Sequence, residues 1–198
     1  MGSAFLSGIT LLLWMVVISS IIMLIIVIIC YNMIISNKNA VVRAWADVIT
    51  YERQKNNVLG DLEQAIKGYQ AYEGDLQIKI TLLRTALNEI KLDELNNKIL
   101  KEVEEQTRAL IKGINLALEN YPNLKAVTLV QKFMKELAKQ QENIAAAITI
   151  FNKNVEEFNN SIELFPGHLV NNFLNKLVTI ELFVDQQALA AFEYKLNW

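Results

Sequence analysis

The chain has 198 residues, enough for one domain and an anchor, and its 19 basic residues nearly balance 21 acidic ones. No basic block stands out, which removes the electrostatic footprint that nucleic-acid binding needs. Seven glycines and two prolines in a chain rich in Leu, Ile, Ala, Lys, Glu, Asn and Gln favour long helices over sheets, and one cysteine rules out a disulfide framework.

The first 37 residues carry no charged side chain. As a helix, Ile9 to Ile29 is about 31 Å long, matching a hydrocarbon layer of roughly 30 Å. Fifteen of those positions are Ile, Leu or Val, so insertion gains about 5 to 9 kcal/mol. A core helix would show a polar face, and this one shows none. The segment lacks the basic start, short apolar core and small cleavage residues of a signal peptide. Ile29 stands where a lipoprotein cleavage box needs a small residue, and Leu6 breaks the myristoylation pattern. The reading is an uncleaved transmembrane helix.

Lys38, Arg43, Arg53 and Lys55 follow the span and no basic residue precedes it. The positive-inside rule then places the N-terminus outside and the bulk of the chain in the cytoplasm. Tyr31, Asn32, Lys38 and Arg43 are the expected membrane-interface residues. Trp45 lies about 15 Å beyond Ile35 along a helix, which favours core packing over the head-group belt.

The soluble part follows two apolar ladders with alternating spacings of three and four. The first runs Leu59, Leu62, Ile66, Tyr69, Glu73, Leu76, Ile80, Leu83, Leu87, Ile90 and extends back through Trp45 and Val48. No proline interrupts it, so the membrane helix is expected to continue towards Ile90. Glu52 and Lys55 break this ladder. They read as an exposed helical stretch, with pairing across an interface as the rarer alternative.

A shorter helix is expected over Leu92 to Leu118, burying Leu95, Ile99, Val103, Leu110 and Ile114, before Asn120-Tyr121-Pro122-Asn123 ends it. The second ladder is Val127, Val130, Met134, Leu137, Gln141, Ile144, Ile148, Phe151, Val155, Phe158, Ile162, Phe165. Phe165-Pro166-Gly167-His168 makes a turn, and a last helix is expected to carry Phe173, Leu177, Ile180 and Phe183. The organisation is therefore a short N-terminus (1–8), a span with its interface (9–35), a helical bundle (36–185) and a C-terminal tail (186–198). The fold class is all-α: a transmembrane helix continuing into an antiparallel bundle of three to four long helices with coiled-coil-like seams. Trp45, Leu62, Ile66, Tyr69, Ile80, Leu83, Met134, Leu137, Ile144, Ile148, Phe151 and Phe158 are the seam residues. They either close on one another within one chain or join it to further copies of itself.

Catalytic material is sparse. His168 is the sole histidine and reads as a turn residue in preference to a general base. With one histidine and one cysteine, no zinc site, Cys-His dyad or His-based triad can form within one chain. Nucleotide-cradling glycine motifs are absent. Glu104-Glu105 and Glu156-Glu157 are carboxylate pairs on helices, where neighbours point about 100° apart and face solvent more readily than one site. The residues indicate no cofactor and no small-molecule substrate. The lipid bilayer and further copies of the chain are the expected partners, and a protein partner is the alternative.

Tyr31-Asn32, Asn39, Val42 and Ala44-Trp45-Ala46-Asp47, followed by Lys67-Gly68-Tyr69, Tyr72-Glu73 and Tyr121-Pro122-Asn123-Leu124-Lys125-Ala126, form an ordered set. Glu136-Leu137, Glu142-Asn143-Ile144-Ala145, Phe151-Asn152, Phe158-Asn159 and Phe165-Pro166 continue it. The set resembles the LemA family of bacterial membrane proteins over roughly residues 31 to 183. It departs at Asn37-Lys38-Asn39, at Val58 to Leu62, and at Tyr72, which stands where a histidine is usual. The resemblance implies a single-pass anchor with a cytoplasmic helical domain, no established enzymatic activity, and a link to membrane organisation.

Overall fold

A computed structural model describes residues 2–66, 70–91, 95–120 and 128–184, with side chains from residue 8 apart from 64–66, 70–73, 128 and 129. The described residues are almost wholly helical and contain no strand. Five helices follow in order: α1 Gly2–Ile66, α2 Gln70–Glu89, α3 Asn97–Asn120, α4 Thr128–Glu163 and the short α5 Gly167–Val170, which leads into a single π-helical turn, Asn171–Asn175. The all-α fold with an N-terminal apolar helix is as the sequence implies. Whether α1 and α2 are continuous falls on residues 67–69, and the expected tail at 186–198 likewise lies outside the described residues.

The chain forms two compact units. The first combines residues 1–41 with 154–180, and the second residues 42–153 with 181–198. In the second unit, a buried stripe on α1 runs through Ala44, Trp45, Val48, Ile49, Glu52, Lys55, Val58, Leu59 and Leu62. These are the i, i+3, i+4 positions of one helical face. Trp45 meets Phe151 of α4 in a tilted contact with ring centroids 5.4 Å apart, a geometry that adds about 1 kcal/mol to the burial of the two rings. The Trp45 indole N–H donates to the Lys91 carbonyl at 3.4 Å, and the Arg53 guanidinium donates to the Ile90 carbonyl at 3.0 Å. Both act on carbonyls just past the C-terminus of α2, which lack helical partners. Helices α2 and α3 pack closely enough that a Cβ on Gly113 would lie 3.1 Å from both Leu76 and Lys79.

Helix α3 begins later than the periodicity suggests. The Asn96 side-chain oxygen accepts from the N–H groups of Lys98 (3.1 Å) and Ile99 (3.4 Å), and this N-cap fixes the start at Asn97. The buried face then falls on Leu100, Val103, Thr107, Leu110, Gly113, Ile114 and Ala117. Leu95 is exposed and Ile99 half-buried, contrary to expectation.

Helix α4 buries Val130, Phe133, Leu137, Gln140, Ile144, Ala147, Phe151, Val155, Phe158 and Ile162. Val130, Leu137, Ile144 and Phe151 agree with the expected ladder. Val155, Phe158 and Ile162 agree as well, and Val127 lies outside the described residues, but three members are displaced by one residue: Met134, Gln141 and Ile148 are half-buried, and their predecessors Phe133, Gln140 and Ala147 are inside. Both ladders share every seventh position, so periodicity alone leaves open which flank turns inward. Phe133 places a larger apolar body in the core than Met134 would, while small Ala147 permits close approach. Phe165, at the expected ladder's end, is 82% exposed, because the helix stops at Glu163.

Residues 176–184 do not form the expected last helix. Asparagine side chains hold this stretch in place. In the first unit, the Asn159 amide donates to the Ile180 carbonyl (2.9 Å) while its oxygen accepts from the Ile180 N–H (3.0 Å). Asn171 does the same with Leu177 (2.9 and 3.0 Å). In the second unit, Asn152 pairs with Phe183 in the same two-way manner (2.7 and 2.9 Å). Each carboxamide thus stands in for the neighbouring strand that the backbone lacks.

Candidate functional site: the end of the apolar run and a buried charged pair

In the first unit α1 exposes the whole of its most apolar window, in keeping with a helix long and apolar enough to cross a membrane. Leu11 to Ile29 present exposed side chains apart from half-buried Val27, and Cys30 and Ile34 are the first apolar residues to be buried among the described side chains. Tyr31, Asn32, Lys38 and Arg43 are exposed on the same helix. Past the apolar run, the Asn37 amide donates to the Glu157 carbonyl (3.3 Å) and the Asn154 amide to the Ala40 carbonyl (3.4 Å). Both couple α1 to α4.

Of the expected seam residues, Trp45, Leu62, Ile80, Leu83, Leu137, Ile144, Phe151 and Phe158 are buried within the single chain. The side chain of Ile66 and all of Tyr69 lie outside the described residues. Met134 and Ile148 sit at the rim of the core.

The exposed-stretch reading of Glu52 and Lys55 is overturned. Glu52 is 2% and Lys55 1% exposed, so the α1 stripe passes through them without a break. Lys55 Nζ lies 2.7 Å from Glu52 Oε2 and donates to Thr107 Oγ1 of α3 at 3.2 Å. The Thr107 hydroxyl in turn donates to the Val103 carbonyl (2.7 Å), which leaves its oxygen free to accept from the ammonium. Burial pushes the Glu52 carboxyl above the usual carboxylate range, against the lowering pull of the Lys55 ammonium. Glu52 Oε2 has no hydrogen-bond donor besides that ammonium.

Glu52 also borders a half-enclosed cavity of about 220 Å³ with Glu104, Gln141, Ile144, Ile148 and Phe183 on its walls. Glu104 is engaged by Arg108 at 3.6 Å, one turn along α3. The cavity therefore presents two carboxylates and an amide against an apolar wall. Gln141, expected as a polar seam residue, is a cavity residue, and Gln140 is the glutamine inside.

Sequence reasoning missed the clamping asparagines as functional parts of the fold. The available signal was the repeated Phe151-Asn152 and Phe158-Asn159, a buried aromatic followed by an amide at heptad spacing. The phenylalanines go to the core and the asparagines to the backbone of 176–184.

A long N-terminal helix apolar enough to cross a membrane, followed by further helices with a buried ion pair, defines the class as an all-helical chain with one candidate membrane span among the described residues. The LemA family profile matches residues 44–190, and the chain belongs to the LemA family. It is 28% identical over 152 residues to a protein named LemA from Metamycoplasma hominis, an alignment covering 77% of this chain and 68% of that protein.

Proposed function

We propose that this LemA-family chain is a non-enzymatic scaffold, anchored by α1 in the bacterial inner membrane with its N-terminus outside and its bulk cytoplasmic. Copies assemble side by side at the inner face and organise the membrane there. The observation carrying self-assembly is on α2. With the inner faces closed within the chain, Ile78 and Leu82 remain 61% and 48% exposed. They lie one turn apart on one helical face, as a lateral contact requires. The orientation rests on Lys38 and Arg43, both exposed just past the apolar run. The non-enzymatic reading rests on the sole histidine, His168, exposed on the short α5 with its Nε2 3.0 Å from the Asn172 amide.

Mass photometry and cross-linking of the full chain in mild detergent test the assembly. Oligomers that the I78K/L82K variant reduces to monomers, with helicity unchanged, are the expected result. Monomers alone for the parent chain would sink the proposal. Protease added to spheroplasts tests the orientation: digestion of the helical domain from outside would overturn the cytoplasmic placement.

The cavity beside Glu52 favours a second reading, a monomeric anchored adaptor holding a partner protein. In that case a stoichiometric partner recovered from membranes is lost on Ile148→Trp, which fills the cavity from its rim.

A further inference from the structure

The turn after α4 carries an unusual surface. Leu164, Phe165, Leu169, Phe173, Leu174 and Val178 are all exposed, Phe165, Phe173 and Val178 by 82%, 79% and 79%. Between Leu164 and Val178 the only formally charged side chain is Lys176. So many large exposed apolar groups within fifteen residues are disfavoured by water, where single exposed apolar residues would need no explanation.

The patch lies in the same unit as the apolar run of α1. Met33 and Asn37 of α1 border a surface hollow with Leu164, Phe165, Pro166 and Gly167, and a Cβ on Gly167 would lie 3.9 Å from Ile34 Cδ1. Along α1, Met33 and Ile34 are about 6 to 7.5 Å beyond Ile29, the last residue of the expected hydrocarbon segment. The head-group layer on each side of a bilayer is roughly 5 to 7 Å thick. The turn therefore sits at head-group depth, directly beside the exiting helix, where apolar side chains reach the acyl boundary.

We infer that residues 164–178 form a second membrane contact, an apolar foot that inserts Phe165, Phe173 and their neighbours into the head-group layer of the leaflet from which α1 emerges. The occupant is the bilayer itself, because the patch is continuous with a helix whose exposed apolar surface already requires lipid. A single span leaves the chain free to rotate and tilt, and a second contact at the exit restrains both. Lys176, exposed at the end of the π turn, is placed to keep its ammonium among the head groups while the apolar residues go deeper.

The inference rests on the span reading, and the experiment separates the two. The full chain, with Cys30→Ser, is reconstituted in phosphatidylcholine–phosphatidylglycerol vesicles and labelled with an environment-sensitive fluorophore at single cysteines. Phe173→Cys and Val178→Cys report on the foot, Ile18→Cys on the span, and Ile78→Cys, at a 61% exposed position on α2, is the reference. Blue-shifted emission at 173 and 178, quenched several-fold more than at 78 by nitroxides high on the acyl chain, is the expected result. A quenched label at 18 with water-like labels at 173 and 178 overturns the foot and leaves the span standing. Blue-shifted labels at 173 and 178 that lipid nitroxides do not quench also overturn it, since protein would then cover the patch. A water-like label at 18 removes the span and the foot with it.

Discussion

Replacing Glu52 by Gln removes one charge from a pair that water barely touches, Glu52 being 2% and Lys55 1% exposed. At the observed 2.7 Å the attraction is roughly 6 kcal/mol for an effective dielectric of 20. Several kcal/mol of desolvation per ion oppose it, so the pair as a whole is close to neutral for stability. E52Q alone leaves the buried Lys55 ammonium with neutral acceptors and no counter-charge in this pair, and is expected to cost about 3 to 5 kcal/mol. The double variant E52Q/K55M removes both charges and should recover most of that loss, because an apolar side chain fits a stripe whose neighbours are Ile49, Val58 and Leu59. Urea unfolding of the full chain in detergent, followed by Trp45 fluorescence with Trp14 and Trp198 changed to Phe, gives the four corners of the cycle. A double variant as unstable as E52Q alone would refute the reasoning, as would an E52Q variant no less stable than the parent.

The same pair sets a pH dependence. Burial raises the folded-state value of Glu52 above its ordinary value of 4.5. Between those two values the folded chain keeps a proton that the unfolded chain releases. Stability from this group is thus full below about 4.5 and declines as pH rises through the folded value. K55M removes the pull that lowers the value, so its midpoint in urea should fall more steeply as pH rises above about 4.5 than the parent's. E52Q should show no such contribution. A K55M slope shallower than the parent's would contradict the assignment of burial as the dominant cause.

Three further outcomes follow from particular contacts. Asn159→Ala and Asn152→Ala each strip two hydrogen bonds from a backbone peptide and should cost about 1 to 3 kcal/mol, with amide exchange accelerated first at Ile180 and Phe183 respectively. Gly167→Ala would put a Cβ 2.0 Å from the Ser161 carbonyl oxygen, a backbone clash that should lower the thermal midpoint by several degrees. Gly60 and Gly74 are helical with open space where a Cβ would go, so Gly60→Ala and Gly74→Ala should each stabilise by about 0.5 to 1 kcal/mol in the same urea titration.

The sequence carried the apolar span and the α1 face clearly because both depend on a single variable, apolarity at a fixed period. The flank of α4 was not legible for a specific reason. Phe133 and Met134, Gln140 and Gln141, and Ala147 and Ile148 are adjacent pairs of similar polarity, and only packing against other helices selects within each pair. Glu52 and Lys55 were misread because charge in an apolar stripe ordinarily marks exposure. Here spacing of i, i+3 on one face lets the two side chains meet, and Thr107 arrives from α3, about fifty residues away in sequence. Residues 176–184 had helix-like spacing at Phe173, Leu177, Ile180 and Phe183, yet Val178, Thr179 and Ile180 are β-branched and suit an extended chain. The deciding hydrogen bonds come from asparagines that apolar periodicity does not register.

These asparagines also bear on why Phe-Asn repeats belong to the ordered motifs of the chain. At heptad spacing on α4, each dipeptide performs two tasks in adjacent directions: Phe151 and Phe158 fill the core, while Asn152 and Asn159 satisfy an extended backbone that would otherwise lack partners. An aspartate in either place could accept from the Ile180 or Phe183 N–H but could not donate to the carbonyl, and a leucine could do neither. In the first unit, Asn159 and Asn171 fix residues 177–180, and the preceding turn bears the exposed apolar side chains. If the foot meets lipid, loosening Asn159 should reduce lipid quenching at position 178 before it alters quenching at position 18 in the span. Equal loss at both positions would show that the asparagine acts on the anchor as a whole and has no selective hold on the foot.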